Sequence, residues 1–517
     1  RGFLDAAVTV AQSADALTDW RGATREAVAQ RLERQASAAN GIFASLDAAG
    51  GLGREAYTTL APVRTLLLQT VFTASTKGFL VADNGTVTHP SGRRGLDASF
   101  LTFRITSLLA QLTAYDALLG SRLRERAAQI TADGISLPRP GGGWTDPITL
   151  VRQLQTLDQE SVRRFWEALT PSEEQLLVST NPEVIGNLYG VPFADRINAN
   201  RIAISRALRG EVQGGRGDCE RARALRAMLA PGRQFLAFSA AGTGSYIEQI
   251  GELRPGIDGV GVLVPGTGTN LNNADQQRRR ALALAQRSGS AVFVFSDGAL
   301  PQRVIPEQQN LRIPSAYIGT AVDGEPARKL GQQLVGFGRD LDAEIAKYAP
   351  GTATTYLGHS YGGTVVGTAE QYGLRADRIV FASAAGTGAA DGPWRDPNPA
   401  VQRYSLTPPG DPIHWAQKYG GGVHGGDPDH APGVRRLDSG WYSSRGTTPG
   451  RLIEGWGSHS SYLDDPGSTA FGNLADVIAG RPPTEYVPRR PDIPQQAADG
   501  VLDNWLRSLT APFAGLR

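Results

Sequence analysis

At roughly 150 residues per domain, a chain of 517 residues is expected to fold as about three structural units. Its 52 cationic and 50 acidic side chains leave a formal charge of +2, without the basic excess of a nucleic-acid binder or the acidic, aromatic-poor bias of a disordered chain. Lysine stands only at 77, 329, 347 and 418, and Cys219 is the one cysteine, so lysine-based chemistry, an internal disulfide and a cysteine-rich metal site are not expected.

Residues 1–135 read as helical. Ala6–Leu17, Thr24–Leu46 and Leu101–Ile130 repeat apolar residues at spacings of three and four, and Trp20-Arg21-Gly22 interrupts the first pattern. Between the long helices, Gly78–Thr88 has the look of two short strands around an Asn84-Gly85 turn. Pro138-Arg-Pro-Gly-Gly-Gly-Trp144 reads as a linker, so 136–230 is a linker and helical lead-in. Within it, Thr170-Pro171-Ser172-Glu173-Glu174 carries the cap residue, proline and early acids of a helix start.

From about 233 the texture changes. Short β-branched or aromatic runs at Phe235–Ser239, Val260–Val264, Ala291–Phe295, Thr354–Leu357, Ile379–Ala382 and Val401–Leu406 are separated, in several places, by helical patterns at 272–286, 325–347 and 363–373. That alternation predicts an α/β domain over 231–490, a mostly parallel sheet with helices on both faces, preceded by the all-α N-terminal module. Regular patterning fades over 385–458, which holds four of the eight tryptophans and is expected to form ordered cap and pocket loops. An amphipathic pattern at 495–510 predicts a C-terminal helix within 491–517. No run of 18 apolar residues is present to span a membrane. The chain begins at Arg1 with no signal-type segment behind it, so targeting information is expected to lie outside it.

The sharpest local feature is Gly358-His359-Ser360-Tyr361-Gly362-Gly363. A chain this rich in glycine supplies roughly 0.4 copies of G-x-S-x-G by chance, so the context must carry the motif. An apolar strand run ends at Gly358 and a helical run follows Ser360, as in a nucleophile elbow. There the serine sits on a strained strand-to-helix turn, and small residues flank it because the two backbones pass too close for a Cβ.

A serine nucleophile needs a base, and in this arrangement the acid and then the histidine follow it along the chain. His459, in Gly457-Ser458-His459-Ser460-Ser461, is the candidate base, placed where a loop can return it to the sheet edge. Asp411, just past a late strand, is the candidate acid, with Asp427 and Asp438 as rivals. Two backbone N–H groups are needed for the oxyanion: one from Tyr361, the other from Thr267 or Gly268 in the loop Pro265-Gly266-Thr267-Gly268. That loop has no P-loop lysine, and no cofactor is expected. The two histidines of His424-Gly-Gly-Asp427-Pro-Asp429-His430 have no helix to set a metal spacing, so a solvated loop is the expectation there. His359, Trp415 and Trp456 are candidate pocket residues.

Asn181-Pro-Glu-Val-Ile-Gly-Asn-Leu-Tyr-Gly-Val-Pro192, Ala199-Asn-Arg201, the Pro-Gly-Thr-Gly loop, Gly-His-Ser-Tyr-Gly-Gly, Pro409-Gly-Asp-Pro412 and Gly457-Ser-His-Ser-Ser-Tyr462 follow one another in order. This set, over about 160–485, resembles an actinobacterial α/β-hydrolase family long known only as a domain of unknown function. The resemblance implies an α/β-hydrolase fold and the triad Ser360, Asp411 and His459. Tyr189 departs from it, standing where the family pattern has aspartate. Residues 1–135, with Trp20-Arg21-Gly22, resemble the W-x-G helical hairpin of type VII secretion partners, although Leu119 stands where an export signal starting at Tyr115 would carry an acid. That likeness implies a secreted or envelope-associated protein with a helical partner, or self-association, through 1–135. The expected substrate is a small ester or lipid-like molecule cleaved through an acyl-enzyme. An amide is open to the same machinery, and the alternative is a non-catalytic interaction protein.

Overall fold

The computed structural model describes residues 23–489, apart from 93, 133–136, 308–309, 311–312, 390–392 and 445–449. The helical pattern at Ala6–Leu17, the Trp20-Arg21-Gly22 motif and the helix expected within 491–517 therefore lie outside the described residues. Two compact units divide the chain at Leu150/Val151.

In the first unit, helices Ala23–Thr76 and Gly95–Ala132 pack side by side. The first runs well past the Thr24–Leu46 pattern, through Gly50, Gly51, Gly53 and Pro62. Packing along the partner helix outweighs the low helix propensity of those residues. Between the helices, Leu80–Val81 pairs antiparallel with Val87–Thr88, and its turn rests on the second helix near Ile105. Ala74, Phe79, Val87 and Ile105 form a small core under this hairpin. Where the sequence reads as a linker, Leu137–Pro138 and Trp144–Thr145 pair as a second short hairpin. Gly141, Gly142 and Gly143 all have φ between 84° and 94°, so the glycines of the expected linker make a tight turn. Among the described residues, no helix is long and apolar enough to cross a membrane.

The second unit opens with helices at Gln159–Glu167, Pro171–Thr180, Phe193–Gln213 and Glu220–Met228. Thr170 and Glu173 form a reciprocal capping box at the start of the second. Eight strands follow: β1 Gln234–Ser239, β2 Ser245–Ile250, β3 Val260–Val264, β4 Ala291–Ser296, β5 Thr354–His359, β6 Arg378–Ala382, β7 Gln402–Leu406 and β8 Val434–Arg436. They form one sheet in the order β1-β2-β4-β3-β5-β6-β7-β8, in which β2 runs antiparallel to both neighbours and all other pairs are parallel.

Alternating residues of the central strands face opposite layers. Val262, Phe293, Tyr356 and Phe381 pack under helices Glu325–Tyr348 and Tyr361–Gln371. Leu263, Val294, Leu357 and Val380 pack under Ala274–Ser288 and Thr469–Ala479. Both faces of the sheet are thus covered, and the C-terminal strand ends are left for loops.

The run Asn181–Pro192 of the resemblance has a packing role here. Buried Asp340 accepts hydrogen bonds from Gln159, Arg163, Arg196 and the Gly190 N–H, which fastens the lead-in helices to the helix Glu325–Tyr348. Tyr189 donates from its hydroxyl to Asp297 or the Gln333 carbonyl, both 3.0 Å away.

Candidate active site

The sequence Thr-Thr-Tyr-Leu-Gly-His ends β5 in a turn that only small neighbours permit. A Cβ on Gly358 would lie 2.5 Å from the Gly362 carbonyl oxygen, one on Gly362 would strike the Val264 carbonyl, and one on Gly363 would strike Ala384. These glycines let the helix Tyr361–Gln371 start directly above the strand. Ser360, between them, has φ 57° and ψ −123°, one of two non-glycine residues with positive φ among the described residues. Such a conformation costs about 1–3 kcal/mol and persists only when its surroundings fix it. Here the Ser360 N–H donates to the Ala382 carbonyl at 3.1 Å, and its carbonyl accepts from Gly363 at 3.1 Å and Ala385 at 3.0 Å.

Ser360 Oγ lies 3.0 Å from His459 Nε2, and His459 Nδ1 lies 2.9 Å from Asp411 Oδ1. Asp411 follows β7 and its side chain is fully buried; Oδ1 also accepts from the Ile413 N–H at 2.9 Å. His459 follows β8, on the short helix Ser458–Ser461. The two loops are tied by the Gly455 N–H donating to the Pro409 carbonyl at 2.8 Å. The rival acids are engaged elsewhere: Asp427 pairs with His430 at 2.7 Å, and Asp438 pairs with Arg489.

Of the two oxyanion donors considered in the loop after β3, only one is available. The Gly268 N–H donates to the Pro301 carbonyl at 2.8 Å, so it cannot also serve an oxyanion, whereas Thr267 borders the cavity beside Ser360. Tyr361 opens a helix, where a backbone N–H has no acceptor within the helix itself.

A cavity of about 470 Å3 adjoins Ser360. Its walls are mainly apolar, with Val304, Ile305, Ala321, Val322, Ile413 and Trp415 prominent. The 304–322 contribution had no signal in the sequence, because it comes from an irregular segment without periodicity. Trp456 packs edge-on behind Trp415, ring centroids 5.3 Å apart, rather than forming the wall.

His359 is a correction too. As the residue before the serine on β5 it points away from the cavity, is buried, and its Nε2 lies 2.8 Å from the His459 carbonyl oxygen. Burial, reinforced by the neighbouring His459 ring, pushes its pKa down to about 3, so it is neutral and donates this bond. His424, expected in a solvated loop, is instead buried in the cavity wall, and burial pushes its pKa down to about 4. His430 does face solvent, so the two histidines diverge; among the described residues no group of three or more histidine, cysteine or acidic side chains is arranged to hold a metal ion.

Residues 240–415 match the family described as "Alpha/beta hydrolase". Two uncharacterized proteins from two Mycobacterium tuberculosis strains are each 30% identical over 123 residues, which is 20% of this chain and 16% of theirs, so the match spans only a small part of those relatives. Among solved structures, a Xanthomonas campestris member of the a/b serine hydrolases without lid is 14% identical, with a TM-score of 0.22, covering 34% of this chain and 72% of that one. Carboxyl esterase 2 from the mycorrhizal fungus Tuber melanosporum is 14% identical, with a TM-score of 0.25, covering 48% of this chain and 85% of that one. With its single antiparallel β2, the strained strand-to-helix turn after β5 and the matched stretch 240–415, the second unit has the α/β-hydrolase fold.

Proposed function

We propose that the chain is a serine hydrolase that cleaves carboxylic esters through an acyl-enzyme on Ser360. The observation that carries this reading is the hydrogen-bonded line Ser360 Oγ–His459 Nε2 at 3.0 Å and His459 Nδ1–Asp411 Oδ1 at 2.9 Å, built on a serine held at φ 57°. His459 takes the hydroxyl proton as Oγ attacks the ester carbonyl. The carbonyl oxygen becomes an oxyanion, stabilised by the N–H groups of Tyr361 and Thr267. The imidazolium then protonates the leaving alcohol, and Asp411 holds the ring orientation and stabilises its charge. In the second half, His459 deprotonates water, which attacks the acyl carbonyl; collapse of that intermediate returns the proton to Oγ and frees the acid. The apolar cavity beside Ser360 suits the acyl chain.

A fluorophosphonate probe tests the reading by intact-protein mass. One adduct, absent in Ser360→Ala, is expected, with turnover of p-nitrophenyl esters above that of matched p-nitroanilides. No adduct, or an adduct that survives Ser360→Ala, rejects the enzyme reading and leaves an interaction protein. Faster anilide turnover would make it an amidase.

A further inference from the structure

The cavity wall contains a polar group that the proposed reaction does not use. His424 is only 4% exposed, yet it borders the same cavity as Ser360. Its position is built rather than incidental. The Gly388 N–H donates to the His424 carbonyl at 2.7 Å, and the His424 N–H donates to the Gly420 carbonyl at 2.7 Å. Gly386 passes so close that a Cβ there would strike the His424 carbonyl, and one on Gly420 would lie 2.8 Å from the ring Cδ2. The ring stands edge-on to Tyr361, centroids 5.8 Å apart, and Nδ1 lies 3.2 Å from Thr364 Oγ1. That contact occupies Nδ1 and leaves Nε2 for a ligand. The Tyr361 hydroxyl, on the neighbouring ring, is already satisfied by the Ala327 N–H and the Asp323 carbonyl.

An imidazole in an apolar wall costs free energy unless its second nitrogen finds a partner. Thr364 can donate to Nδ1 or accept from it, so Nε2 is a donor in one tautomer and an acceptor in the other. A hydroxyl group satisfies both. We infer that His424 is a specificity residue that selects acyl chains carrying a hydroxyl, by hydrogen bonding that hydroxyl through Nε2 inside the cavity. The inference rests on the ester-hydrolase reading for its substrate class.

The test is a set of p-nitrophenyl octanoates, unsubstituted or hydroxylated at one position from C3 to C6. At least one hydroxylated isomer is expected to exceed the unsubstituted ester about tenfold in kcat/KM, because a site built around a hydrogen bond rejects the chain that lacks it. His424→Leu should collapse that ratio toward one, and His424→Gln should restore part of it; a merely structural defect lowers both substrates alike and leaves the ratio unmoved. No preference in the wild type, or a ratio unchanged in His424→Leu, overturns the inference while ester turnover keeps the hydrolase reading intact. If no ester turns over, the hydrolase reading fails instead. Calorimetric binding of the free hydroxyoctanoic acids against octanoic acid then decides His424 alone: tighter binding of one hydroxy acid, lost in His424→Leu, supports it, and equal binding rejects it.

Discussion

Gly266 approaches Ser360 so closely that a Cβ on it would stand 2.6 Å from the serine's own Cβ and 3.1 Å from Oγ. The loop after β3 is therefore pressed against the turn after β5, and this contact sets where Thr267 stands relative to Ser360.

Gly266→Ala is expected to push the loop off the serine and displace the Thr267 N–H. Loss of one oxyanion donor costs about 100- to 1,000-fold in kcat, so ester turnover should fall by that order with the far-UV circular dichroism spectrum preserved. Gly268→Ala is the control. Nothing lies within 4 Å of a Cβ there, and the N–H already serves Pro301, but φ is 86°. The alanine should cost about 1 kcal/mol of stability through that φ and leave kcat within a few-fold. Equal losses from both substitutions would remove Thr267 from the proposed oxyanion hole.

Asp411→Asn keeps the shape of the buried acid but removes its charge. An amide oxygen can take the place of Oδ1 and accept from both His459 and the Ile413 N–H, but it brings no negative charge to stabilise the imidazolium, and the NH2 falls at the position of Oδ2, which is buried without a hydrogen-bond partner. A fall in kcat of about 10,000-fold is expected, with KM nearly unchanged. Retained activity in Asp411→Asn would point to another acid and remove Asp411 from the proposed triad.

Legibility in the sequence followed locality. The turn around Ser360 is written in neighbouring residues, a strand run, three glycines and a helix run, and so is the Thr170 capping box. The two partners of Ser360 follow from chain order and from the few histidines that remain, not from any pattern of their own. Strand β2 left no such trace. Its Glu248 and Gln249 break the apolar run, yet Glu248 is fully buried because Arg233 binds it bidentately, both bonds 2.8 Å, and Arg278 joins them. A strand whose polar residues are satisfied by distant arginines does not read as a strand. The three residues of β8, Val-Arg-Arg, are too few to show a period. His424 and His359 were visible as histidines, but burial and orientation depend on Gly386, Gly388 and Gly420 or on the pleat of β5, and those are tertiary facts.

Asp340 predicts a large stability effect far from the cavity. Arg196 is fully buried and shares Asp340 with Arg163, Gln159 and the Gly190 N–H. Asp340→Ala strands the Arg196 charge in the interior, and removing one partner of a buried pair costs about 3–5 kcal/mol. Urea denaturation should show that loss in the second unit's transition. A change under 1 kcal/mol would mean that solvent reaches Arg196.

Acid sensitivity can be assigned through His359. Burial holds its folded pKa at about 3, below the 6.5 of an unfolded histidine. Below pH 6.5 the unfolded chain binds a proton there that the folded chain refuses until about pH 3. The stabilisation is therefore complete above pH 6.5 and is lost as the pH falls, with a slope of up to about 1.4 kcal/mol per pH unit. Asp342 acts in the opposite sense. Burial raises its carboxyl to about 6, so between pH 6 and its ordinary value near 3.8 the folded chain takes up the proton first and gains stability. His424, lowered by burial to about 4, acts in the same sense as His359, so the net curve mixes several groups; the difference between wild type and His359→Gln isolates this histidine, since glutamine keeps a donor for the His459 carbonyl without titrating. Urea midpoints measured from pH 7.5 to pH 4.5 should converge on acidification, with the wild type losing more stability than the variant. Parallel curves would mean that His359 becomes protonated in the folded chain as readily as in the unfolded one.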